Sequence, residues 1–399
     1  MMDTERKLDL LAAAAKYDVC GYSGLGDAHR ASASPARFIY KSTLPNGRSA
    51  CLFKVLLTSV CTNDCRYCVN QAGRDILRTW FQPEELARVF MELHRRRMVH
   101  GLFLSSGIAG SASQTMESMI KTVEILRGSH DFQGYIHLKV LPGASFDCVE
   151  QACKLANRVS VNIEAPTERH LARLSSKKAI YNDIVERMRW MKQIISAGEG
   201  IAPSGQTTQF VVGASGETDR DILRTTSALY REVDLRRAYF SAFQPVSRSP
   251  LEGIPAAPPM RQHRLYQADW LLRVYRFAPH EVELGLGADD NFSLRRDPKV
   301  LIALRQPWLF PVDVNTASHD ELLRVPGIGP VSAERIVEAR RDFDITSLGQ
   351  LRKMGVVTRR AVSYVRYQSM LPEEKQACFL PQLDEEAMDE TPTLATAVR

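Results

Sequence analysis

The chain has 399 residues, of which 44% are apolar and 25% charged, with a formal net charge of +6. No run approaches the ~18 consecutive apolar residues of a membrane span, and the composition excludes collagen-like and wholly disordered classes. Length allows two or three domains, and the charge permits a polyanionic partner without requiring one.

The N-terminal stretch MMDTERKLDLLAAAAKYD mixes acids with bases and lacks an apolar signal region, so a cytoplasmic protein is expected. Eight cysteines agree with that compartment. Three cluster, and Cys20, Cys51, Cys148, Cys153 and Cys378 are scattered, which is no disulfide framework. The basic runs at 94–97 (HRRR) and 236–239 (RRAY) read, singly, as solvated faces.

Residues 1–49 read as a helix followed by a Gly/Ser-rich segment. A strand–helix alternation then begins. Strands are expected over 50–60, 100–106, 135–143, 158–166, 207–214 and 237–245, with helices over 83–98, 114–128, 146–156, 181–198 and 218–233. Apolar strands alternating with amphipathic helices predict a parallel α/β sheet, as a full or partial barrel or doubly wound. In each case ligands gather at the carboxyl ends of the strands. A Pro-rich break at 250–259 closes this domain, taken as 50–256. A helical connector covers 257–310. A small all-α domain covers 311–370, with helices over 317–324 and 331–341 around VPGIGP and a weaker second copy at 347–367. The acidic stretch 371–399 reads as a disordered tail.

Where the first of these strands stops, CTNDCRYC places Cys61, Cys65 and Cys68 together, and no fourth cysteine follows. Three readings compete. Spacings of four and three put the sulfurs on one helix face, as small buried hydrophobes, although Thr62-Asn63-Asp64 favours a turn. A structural zinc site would recruit a distant His94 or Cys51, yet such sites come as paired close ligands and the chain has no second pair. Third, three thiolates can hold a cubane iron–sulfur cluster by three irons and leave the fourth open to a ligand.

The C-x3-C-x2-C spacing after the first strand, with aromatic Tyr67 before the last cysteine, resembles the signature of radical S-adenosylmethionine (SAM) enzymes. FVVGASGETDRDIL (210–223) resembles the fifth-strand segment of methylthiotransferases and related members. The likeness covers roughly 50–250. It implies a partial (β/α)6 TIM-like barrel, a [4Fe–4S] cluster on Cys61, Cys65 and Cys68, and SAM as cofactor, cleaved to a 5′-deoxyadenosyl radical. For SAM it implies contacts from Tyr67, from the turn at Ser105, Ser106 and Gly107, from Asn162 and Glu164, and from Gly213 beside the adenine. Lys139 is added if Ile136, Leu138 and Val140 face the helices. The turn reads SSGI where the family has a GGE-like sequence, so its acidic side chain is missing. A catalytic residue on the substrate is not identifiable.

VNTASHDELLRVPGIGPVSAERIVEARR (314–341) resembles the helix-hairpin-helix motif of DNA repair proteins, close to the tandem form of competence DNA receptors. Gly327 and Gly329 would make the turn, Ile328 would plug it, and Ser332 and Arg335 would reach phosphate oxygens; such contacts grip the backbone without reading bases. Residues 312–370 hold nine Lys/Arg against seven Asp/Glu, so a protein-packing role is the competing reading. Both motifs, their order and the length resemble the bacterial radical SAM proteins assigned to DNA modification and repair. The implied partners are DNA, a reductant such as flavodoxin or ferredoxin, and a DNA repair protein. Alternatives are a tRNA-modifying enzyme of methylthiotransferase type and a non-catalytic, cluster-containing DNA-binding partner.

Overall fold

The structure is a computed structural model and describes residues 2–15, 39–43 and 49–367; the expected Gly/Ser-rich segment and acidic tail lie outside these residues. The chain divides into two compact units, Met1–Glu217 with Thr225–Gln262, and Thr218–Arg224 with His263–Arg399.

The first unit is built on one curled sheet of seven strands in sequential order. After α1 (Thr4–Ala15) come β1 (Ile39–Thr43), β2 (Ser49–Leu56), α2 (Pro83–Arg95), β3 (Gly101–Ser105), α3 (Ala112–Arg127), β4 (Tyr135–Lys139) and α4 (Phe146–Leu155). They are followed by β5 (Arg158–Ser160), α5 (Glu168–Leu174), a π-helical turn Ile180–Val185 running into α6 (Glu186–Ser196), β6 (Gln206–Val212), α7 (Asp219–Glu232) and β7 (Arg237–Ala242). From β2 to β7 every pairing is parallel, as the alternation predicts. The antiparallel edge strand β1, paired Ile39↔Phe53 through Thr43↔Ser49, was not anticipated, and neither was α5.

Pleating explains why one surface of this sheet packs and the other is polar. Phe53, Val55, Leu102, Leu104, Ile136, Leu138, Val159 and Phe210 are all fully buried under the helices. Register places Lys54, Phe103, His137 and Arg158 in one row of the opposite surface, and Lys139, Ser160, Thr207 and Arg237 in the next. Lys139 thus shares the inner surface, opposite Ile136, Leu138 and buried Val140, as expected. Local signals start the helices. Ser111 and Gln114 form a capping box on α3, and Pro83 with Glu84 and Glu85 opens α2.

The expected strand 158–166 is shorter. Beyond Ser160 the ladder to β6 is carried by Thr208, whose hydroxyl donates to the Val161 carbonyl at 2.8 Å and accepts from Ile163 N at 2.9 Å. Pairing resumes only at Glu164, whose N–H donates to Gln209 O at 2.9 Å. Glu164 has φ +66°, a left-handed conformation uncommon for a side chain of this size.

The second unit contains α8 (Pro259–Arg273), α9 (Pro279–Glu283), α10 (Pro298–Arg305), β8 (Val312–Asp313), α11 (His319–Arg324), α12 (Pro330–Ala339), α13 (Leu348–Lys353), α14 (Thr358–Ala361) and β9 (Val365–Arg366). The region read as all-α closes with a parallel two-stranded pairing, Val312↔Val365 and Asp313↔Arg366. Its core gathers Val314, Leu322, Leu323, Val325, Ile328, Ala333, Ile336, Ile345 and Leu351.

Candidate active site

Residues 61–68 run as open chain and turn, not helix, which removes the buried-hydrophobe reading of the cysteines. Contacts from distant segments hold the loop. Gly107 N donates to Thr58 O at 2.8 Å, Thr62 N to Ile108 O at 2.8 Å, and Arg66 N to Leu174 O at 2.8 Å. A Cβ on Gly107 would stand 2.4 Å from Val60 O, so the SSGI turn needs its glycine for this close approach.

Two backbone N–H groups aim at sulfur, Ile108 N at Cys61 Sγ (3.5 Å) and Asn70 N at Cys68 Sγ (3.4 Å), a pattern that favours thiolates holding a metal centre. Burial, and then the negative charge of Cys65, push the Cys68 thiol up to about 12. The charges of Cys65 and Cys61 both disfavour the Cys68 thiolate, and a cation among the sulfurs is what would let all three ionise. Among the described residues no three His, Cys, Asp or Glu side chains gather tightly enough for a single ion. Neither proposed zinc partner joins the set: His94 stacks between Phe90 and Phe132 and bonds Val99 O, and Cys51 packs beside His100. An open tripod of thiols with sulfur-directed N–H groups fits a cubane cluster better than a closed zinc site.

One segment missed by the sequence reading braces this loop. Between α5 and α6, Ser175 Oγ and Ser176 Oγ each donate to the Asp64 carboxylate at 2.5 Å, joined by Ser176 N at 2.9 Å. Burial would raise the Asp64 carboxyl, but these bonds outweigh it and hold it down at about 2. Lys177 Nζ donates to Thr62 O at 2.7 Å. Buried Lys178 lies 3.6 Å from Glu164 Oε1 and bonds Cys65. Burial alone would lower the Lys178 ammonium, yet the Cys65 and Glu164 charges prevail and hold its pKa above the usual lysine range.

Several expected SAM residues meet here. The Tyr67 phenol, raised by burial and by the Glu164 carboxylate, bonds Glu164. Glu164 and Asn162 are both buried at the end of the fifth strand's run, and Ser105 is buried at the end of β3. The Glu164 Oε2 and Ser106 Oγ atoms are buried without a hydrogen-bond partner among the described residues, as groups awaiting a polar ligand would be. Gly213 is set differently. It has φ +93° and its Cβ direction meets the Ala257 Cβ at 2.7 Å, so packing against Ala257 accounts for this glycine without an adenine. On the inner surface behind, burial and then the charges of Arg158, Lys139 and Lys54 keep His137 neutral, with Nε2 2.8 Å from Ser160 Oγ.

In the second unit the hairpin glycines divide their work. Gly327 has φ +88° and its Cβ direction points at Val357 O, 2.6 Å away, while Val357 N donates to Gly327 O at 2.9 Å. The second copy keeps the same turn, with Gly355 at φ +91°, and packs against the first. Gly329 is the N-cap of α12, and Ile328 is buried as a plug. Arg335 is exposed. Ser332 is buried, its Oγ 3.2 Å from where a Gly355 Cβ would sit. Lys299, also missed, is buried over the Tyr275 ring and donates to Ile328 O at 2.6 Å. No helix among the described residues is long and apolar enough to cross a membrane.

Residues 55–229 match the model of the radical SAM superfamily, and residues 311–365 that of a helix-hairpin-helix motif. No curated protein matches the chain. Similar solved structures include HydG, a maturase of the [FeFe]-hydrogenase, at 12% identity over 55% of this chain and 49% of that one (TM-score 0.44). Methylornithine synthase (PylB) aligns at 16% over 53% and 59% (TM-score 0.43), and the radical SAM methyltransferase TsrM from Kitasatospora setae at 15% over 49% and 35% (TM-score 0.38). The chain spans about half the length of the first two. The family uses a [4Fe–4S] cluster and SAM. Residues 55–229, with their half-barrel and three-cysteine loop, form a radical SAM domain, and residues 311–365 carry a helix-hairpin-helix motif.

Proposed function

We propose that the radical SAM chemistry of this chain is directed at DNA, repairing or modifying a base. The observation that carries the reading is the hairpin turn fused to the radical SAM domain, with Gly329 at the N-terminus of α12 and Arg335 exposed on that helix. Helix N-termini with free N–H groups suit phosphate oxygens.

In this reading Cys61, Cys65 and Cys68 hold the cluster, and Asn162, Glu164, Ser106, Tyr67 and Lys139 border the SAM site. Bound together, the cluster and SAM supply reductive cleavage of the sulfonium and a carbon radical that abstracts hydrogen. The chain's own part is positional. The N–H groups of Ile108 and Asn70 stabilise negative sulfur, and the Asp64–Ser175–Ser176 bonds keep the loop from moving. Lys178 offsets negative charge beside Cys65, and the Glu164–Tyr67 bond presents the other carboxylate oxygen to a ligand hydroxyl. A one-electron donor such as flavodoxin or ferredoxin, and a cytoplasmic setting, complete the reading.

The test is duplex-DNA binding by the full, cluster-reconstituted chain, measured by fluorescence anisotropy at two salt concentrations. Affinity should fall with salt. It should weaken several-fold in Arg335→Glu, which leaves the fold alone, and further in Gly327→Ala with Gly329→Ala. Unchanged affinity in both variants would return the hairpin to a packing role. Preference for tRNA over duplex DNA would overturn DNA as the substrate.

A further inference from the structure

The loop past the cysteines and the loop past β7 enclose a recess of about 490 Å³, lined by Gln71, Ala72, Gly73, Arg74, Asp75, Arg248, Ser249 and Pro250. It begins three residues beyond Cys68, to which Gln71 N is bonded through Cys68 O at 3.3 Å. It therefore opens at the carboxyl ends of the strands, where α/β folds bind ligands.

Three side chains of this lining carry buried polar atoms with no hydrogen-bond partner among the described residues: Gln71 Oε1, Arg74 Nη1 and Ser249 Oγ. Ser249 is only 8% exposed. The same residues are otherwise well anchored. Arg74 Nη2 donates to Ser247 O at 2.8 Å, Gln71 Nε2 to Asp64 O at 3.2 Å, and Ser249 N to Val246 O at 3.1 Å. Each is thus held in place by one polar group and left open at another. A buried guanidinium N–H without an acceptor is costly, and three such unmet atoms belong to residues that line this one recess.

The chemistry of that partner follows from the three groups. Arg74 Nη1 and the Ser249 hydroxyl donate, and two guanidiniums, Arg74 and Arg248, stand against one carboxylate, Asp75. The centre therefore suits an oxyanion, and an arginine N–H beside a hydroxyl is a common phosphate grip. Gln71 Oε1 accepts, so the group next to the anion carries an N–H or O–H. A nucleotide has both features; a bare phosphate diester linker or an apolar substrate does not.

We propose that this recess seats the phosphate of one nucleotide of the substrate, with Arg74 and Ser249 on its oxygens and Gln71 accepting from the adjoining nucleoside. The inference rests on the nucleic-acid reading above and deepens it: the recess sets one nucleotide beside the three-cysteine loop.

The experiment is calorimetric titration of the full, anaerobically reconstituted chain with thymidine 5′-monophosphate, thymidine and inorganic phosphate, and separately with SAM. The monophosphate should bind at least about tenfold more tightly than thymidine, and inorganic phosphate should compete with it. Arg74→Ala should weaken the monophosphate about tenfold or more, the usual effect of losing a charge-assisted bond. Ser249→Ala, which removes only an unpartnered hydroxyl and so leaves folding intact, should weaken it several-fold. Equal binding of monophosphate and thymidine, or no change in either variant, overturns the proposal. So does a parallel loss of SAM affinity in Ser249→Ala, which would assign the recess to the cofactor. Because no duplex is used, these outcomes stand apart from the hairpin test. A hairpin variant with unchanged duplex binding removes the DNA reading while the nucleotide result is read by itself.

Discussion

The cysteine loop and the helical hairpin are both tight turns that hold polar groups ready, yet they are held by opposite means. The hairpin is locally coded. Ser318 and Glu321 cap α11 reciprocally, Ser347 and Gln350 do the same for α13, and each turn has its own left-handed glycine. The cysteine loop has few local bonds and takes its shape from β3's turn, from α5 and from Ser175–Lys178, more than 100 residues away. A local module tolerates transplantation between proteins; a loop shaped from afar requires the entire sheet around it.

The sharpest way to break this contrast is Cys65→Ala. It should abolish bound iron and sulfide and all 5′-deoxyadenosine release, measured by iron analysis and chromatography, while the duplex-DNA binding proposed for the hairpin persists. Gly107→Ala comes next. Its new Cβ would strike Val60 O, costing about 1–3 kcal/mol of stability and most of the iron content. Retention of full iron content in that variant would mean the loop does not depend on the SSGI turn.

Lys299 ties the hairpin turn to a distant helix, and pH exposes that tie. Burial pushes the Lys299 ammonium down to about 7. The unfolded chain keeps that proton to about pH 10.4, so between these values the unfolded state binds more protons and stability rises with pH. The slope is at most about 1.4 kcal/mol per pH unit, and the contribution is lost as pH falls through 7. Guanidinium unfolding between pH 7 and 9 should show the rise, and Lys299→Met should flatten it. Smallest is Ser318→Ala, expected to cost about 1 kcal/mol through its lost cap, with the iron content unaffected. A fall in iron there would show that the two regions are coupled after all.

Much of this was legible because the signals are short in range. The alternation of strands and helices, the cysteine spacing and the glycine turns all lie within a few residues. Where the reading fell short, a distant residue had intervened. The strand over 158–166 breaks because Thr208 supplies the bonds that a ladder would have made. The burial of Ser332 against the second copy's Gly355 was likewise invisible in the sequence. Ser175, Ser176 and Lys178 carried no signal at all, since a polar SSKK run between helices is ordinary until Asp64 and Cys65 face it.

The amino-acid sequence by itself determined the parallel α/β class, the three-thiol tripod and the capped helical hairpin, since periodicity, spacing and caps act between neighbours. Only the tertiary structure decided which groups surround the tripod and which polar atoms stay open, Glu164 Oε2 by Tyr67, and Arg74 and Ser249 at the recess. Burial and unmet hydrogen bonds belong to pairs of residues far apart in the chain, and they exist only once folding has brought those residues together.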